Sequence, residues 1–142
     1  MQNVENSKQR ENKTVYRCTL LAGMLMIGAA LLIALSVNNL VVGAGTGDIN
    51  KNYSASVVIH WALAGTMMFL VGVWVLFLAA PLKKWERRAW WQAIIISISF
   101  ISFGSSFWYH YPGSIHLPGF ILLGLILLVP LIINAGKFKS NS

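Results

Sequence analysis

"FLAAPLKKWERRAWWQAIII", residues 77–96, decides how this chain folds. Two apolar runs meet at a turn that carries Lys83, Lys84, Arg87 and Arg88 with a single carboxylate, Glu86. The cations require water, whereas the flanks are too apolar to form a water-facing surface. The stretch therefore reads as the tight connection of a helical hairpin whose arms lie in lipid.

Outward from this turn, apolar runs cover Thr19 to Val42, Val57 to Ala80, Ala89 to Trp108 and Pro118 to Ala135. A hydrocarbon core about 30 Å thick needs about 20 helical residues, with about 17 to 25 accepted, and all four runs satisfy that length. Composition agrees: 56% of residues are hydrophobic and 11% charged, where a soluble domain carries about 25% charged residues. The first run has 24 residues, beyond the roughly 7 to 15 of a signal-peptide core, so it is read as an uncleaved span.

Orientation follows from the basic residues. Lys8, Arg10, Lys13, Arg17, Lys83, Lys84, Arg87, Arg88, Lys137 and Lys139 all fall on one side of the four runs, and only Lys51 falls on the other. The positive-inside rule places the former set in the cytoplasm. Tryptophans at 85, 90 and 91 mark the inner interface, and Trp61, Trp108, Tyr109 and Tyr111 the outer one. The expected fold is an all-α integral membrane protein, a four-transmembrane-helix bundle with N-in/C-in topology in an inner or plasma membrane. Its parts are a polar cytoplasmic tail over 1–17, a membrane domain over 18–136 with spans near 19–42, 57–80, 89–108 and 118–135, and a short cytoplasmic tail over 137–142. The N-terminal tail is expected to lack regular structure, and residues 43–56 to form a flexible outer loop.

Inside lipid, helices associate through close packing of small residues and through interhelical hydrogen bonds. Ser99, Ser102 and Ser106 recur at i, i+3 and i+7, and Ser105 lies beside them. They form a small polar face read as a helix-packing surface. Pro130 is expected to weaken the fourth helix, and Pro118 suits a first helical turn, where its missing donor is not needed.

All three histidines lie toward the outer side: His60 in the second run, His110 after the third and His116 before the fourth. Imidazole ligates copper, zinc and haem iron, so His60, His110 and His116 are the candidate metal ligands; the sequence requires no cofactor, and haem b or copper is what such a site would take. The opposing reading is interfacial anchoring, because histidine has an apolar body and a polar tip. The chain contains no HExxH, CxxCH or CxxC pattern, and its one cysteine, Cys18, offers no intrachain disulfide.

Several classes are left without candidate residues. None of the four runs contains Asp, Glu, Lys or Arg, the groups that ion-coupled carriers and voltage sensors place within the membrane. No phosphate-binding loop, paired carboxylates or Ser/His/Asp set is present. The net charge of +7 is split into short clusters, not spread along one basic face, so no nucleic-acid partner is expected. The leading expectation is a non-enzymatic accessory or subunit of a membrane complex, acting through helix contacts with a membrane-protein partner or with copies of itself. The alternatives are a haem- or copper-binding redox component and an oligomeric permeation or efflux unit lined by the serine face.

Overall fold

The computed structural model describes residues 2–46, 51–110 and 117–138, with the side chains of residues 2–12, 40, 43–46, 51–56, 107, 110 and 117 left out. Among these residues four α-helices follow one another: α1 over Gln2–Thr46, α2 over Lys51–Lys83, α3 over Arg87–His110 and α4 over Leu117–Ile133, succeeded by a 3-10 turn at Ala135–Lys137. No strand occurs among the described residues.

Among the described residues, three helices are long and apolar enough to cross a membrane, through Lys13–Asn39, Val57–Lys83 and Arg87–Ser106. The fourth is shorter than expected. With 17 residues it rises about 25 Å at about 1.5 Å per residue, and it stops at Ile133, not at Ala135. At its end the Asn134 backbone N–H and Nδ2 both donate to the Pro130 carbonyl, at 3.3 and 2.9 Å, and the chain then tightens into i→i−3 bonds from Lys137 and Phe138.

Two expectations about irregular segments are corrected. The polar tail is helical from Gln2, and the outer loop is shortened from both sides because Gly43 to Thr46 belong to α1 and Lys51 to Ser56 to α2. Once an apolar helix has formed, each added residue extends it without a new nucleation cost. Glutamate, lysine, glutamine and arginine in the tail are good helix formers, so the tail continues the helix.

The chain forms two compact units, Met1–Ala22 with Val75–Ser142, and Gly23–Trp74. In the second unit the α1 and α2 segments run antiparallel at close approach. A methyl group on Gly72 would stand 2.9 Å from Ile27 Cγ1 and 3.1 Å from the Gly23 carbonyl oxygen, and one on Gly65 would stand 3.0 Å from Ile33 Cγ2. The first unit is built on helical periodicity. Val15, Thr19 and Ala22 of α1, Val75, Leu78 and Leu82 of α2, Ala89, Ala93 and Ser97 of α3, and Leu123, Leu127 and Leu131 of α4 are all buried. Each set recurs every three or four residues and so forms one face of its helix. The buried hydroxyls of Thr19 and Ser97 donate to the carbonyls of Val15 and Ala93, at 2.8 and 2.7 Å, which removes the cost of burying them unpaired.

Candidate functional site

The basic turn between α2 and α3 is closed by backbone hydrogen bonds. The Glu86 N–H donates to the Pro81 carbonyl at 3.1 Å, and the Trp85 N–H to the Leu82 carbonyl at 3.1 Å. This is the Schellman pattern, which closes a helix through one residue in the left-handed conformation. Trp85 is that residue, with φ of 61°. Glycine is the usual occupant, and a residue with a Cβ costs roughly 1–2 kcal/mol there.

Ring contacts offset that strain. The Trp85 ring meets Phe138 edge-on at a centroid distance of 4.8 Å, and the Lys137 ammonium lies 5.8 Å from the Trp85 centroid. Phe138 is buried. Trp90, in the first turn of α3, lies 6.0 Å from Phe138 and 4.8 Å from Trp91. Its indole Nε1–H donates to the Leu131 carbonyl at 3.0 Å, which meets one of the last orphan acceptors of α4. The α2–α3 turn, the start of α3 and the segment after α4 are thereby fastened together. Around this latch, Lys83, Lys84, Arg87 and Arg88 are exposed, and the Lys83 ammonium sits 5.3 Å from the Tyr16 ring.

Sequence reading assigned the tryptophans to an interface but missed Phe138 and the Leu131 carbonyl as their partners. The aromatic at 138, just beyond an apolar run and beside Lys137, was the available signal. A backbone acceptor leaves no signal in sequence.

The serine face stands apart from the α3–α4 contact. Ser99, Ser102 and Ser106 are exposed, whereas the packed face is Ser97, Ile101 and Gly104, against Phe120, Ile121 and Gly124. A methyl on Gly124 would come 2.6 Å from Ile101 Cγ1 and 2.8 Å from the Ser97 carbonyl oxygen. The expected packing surface is therefore turned one helical face away from α4.

In the second unit, Ala30, Ala34 and Val37 of α1 and Trp61, Gly65 and Phe69 of α2 line a groove of about 330 Å³. Thr66 also borders it, but its hydroxyl is committed to the Ala62 carbonyl at 2.8 Å. The groove is apolar.

Of the three histidines, only the side chain of His60 is described. His60 is exposed on α2, His110 is the last residue of α3 and its side chain is not described, and His116 lies outside the described residues. No group of three or more His, Cys, Asp or Glu suited to a metal ion occurs among the described residues. Asn38 and Asn39 are exposed, and Cys18 is a free, half-buried thiol.

Comparison of the chain with protein families, with curated proteins and with solved structures returns no match.

Proposed function

We propose that this chain is a multi-pass protein of an inner or plasma membrane, with four spans and both termini cytoplasmic, that serves as a non-enzymatic subunit or accessory of a membrane complex through helix contacts. The observation that carries the reading is the exposure of Ser99, Ser102 and Ser106 along a helix of membrane length. In lipid the hydrophobic effect does not drive helices together, and faces of small residues with hydroxyl groups are where they associate. The lopsided distribution of lysine and arginine supports the orientation. At 17 residues, α4 meets the lower length of a span, which supports the fourth crossing.

Crosslinking and native mass measurement on the protein extracted in mild detergent test this reading. A stoichiometric complex or homo-oligomer that falls apart on Ser102→Phe is expected. A strictly monomeric chain with no co-purifying partner overturns it. The same preparation separates the cofactor alternative: a Soret band or about one metal per chain, lost on His60→Ala, would replace the accessory reading with a redox one. Liposome flux that falls on Ser102→Phe would favour the permeation alternative.

A further inference from the structure

Relying on the membrane reading above, we propose that the cationic end of the first unit binds the phosphate of an anionic membrane lipid. Three chain segments bring cations to this end. The Lys83 ammonium lies over Tyr16, the neighbour of Arg17, and the Lys137 ammonium lies beside Trp85, the neighbour of Lys84. Glu86 is the sole Asp or Glu from residue 51 onward, so the turn holds four exposed cations against one carboxylate. Arg87 and Arg88 occupy the first turn of α3, which contains no acidic residue. The macrodipole adds positive potential at that position. Like charges gathered on one turn repel one another, and a bound anion relieves that repulsion.

The outward side of α3 distinguishes a lipid from a soluble anion. Arg87, Trp91 and Ile95 recur at i, i+4 and i+8, all exposed, and Ile98 continues the exposed surface. Over about 12 Å, at about 1.5 Å per residue, the surface changes from guanidinium to indole to aliphatic carbon. A phospholipid presents the same order from phosphate through glycerol ester to acyl chain. A free phosphate would match only the first step. The Trp85 latch holds the turn in place while its cations stay exposed, so the phosphate meets a preformed cluster.

The test uses the full chain in vesicles of phosphatidylcholine, with or without phosphatidylglycerol, followed by native mass spectrometry of the lipids retained. Preferential retention of phosphatidylglycerol is expected, falling about fivefold for each cation removed in Arg87→Gln/Arg88→Gln and kept in Arg87→Lys/Arg88→Lys. Equal retention of the two lipids overturns the proposal, as does displacement of phosphatidylglycerol by inorganic phosphate at low millimolar concentration. Alkali-resistant sedimentation with pure phosphatidylcholine vesicles reports the membrane reading separately. Insertion without lipid preference overturns the headgroup assignment alone, and failure to insert overturns both.

Discussion

Trp85 combines two opposing contributions: a left-handed backbone that disfavours any side chain, and a ring held against Phe138. Substitution separates them. Trp85→Gly and Trp85→Ala both lose the ring contact, but only alanine keeps the strain. The glycine variant should therefore be the more stable of the two by about 1 kcal/mol, read from thermal unfolding in detergent, and equal stability would contradict the left-handed turn. Trp90 offers a second separation. Trp90→Phe retains an aromatic ring but removes the donor to the Leu131 carbonyl, whose residue is fully buried. An acceptor left unpaired costs about 1–3 kcal/mol. A denaturant midpoint unchanged from wild type would mean that another donor takes over.

At the scale of elements, the α3–α4 pair depends on its glycines for proximity. Gly124→Ala places a methyl group inside contact distance of Ile101 and of the Ser97 backbone, so the helices must separate, at about 1–3 kcal/mol for overpacking. Gly28→Ala in α1 meets nothing within 4 Å and should be neutral or stabilising by up to about 1 kcal/mol through helix propensity. Circular dichroism melts of the two variants side by side check both signs. The helices themselves were legible in the sequence, because apolar runs of this length have few alternatives to helix, and the tight Lys83–Arg87 turn was marked by its charges. Helix ends were less legible. Nothing in a composition of Glu, Lys, Arg and Gln distinguishes a solvated tail from a continuing helix, and the change from i→i−4 to i→i−3 bonding after Asn134 has no signature in the sequence. The serine periodicity was visible, but not the face it occupies: Ser97 packs against α4, and the face defined by Ser99, Ser102 and Ser106 does not. Two small-residue registers overlap on one helix, and period alone does not rank them.

For the whole molecule, orientation is open to direct measurement. With both termini and the Lys83–Arg88 turn expected in the cytoplasm, a cysteine placed at Lys84 in a Cys18→Ser background should resist a membrane-impermeant maleimide in intact cells. It should react after permeabilisation, and labelling of intact cells would reverse the topology. The helices also differ in reach. The spans of α1 and α2 run 27 residues each, about 40 Å at about 1.5 Å per residue, whereas α4 reaches about 25 Å. If all four cross as proposed, one hydrocarbon thickness does not match them all: a thick bilayer thins beside α4, and a thin one tilts the long helices. Such mismatch costs only fractions of a kcal/mol per ångström, yet it accumulates. On the four-span reading proposed above, the short fourth helix and the two long ones pull in opposite directions, so bilayer thickness becomes a variable that the fold itself responds to.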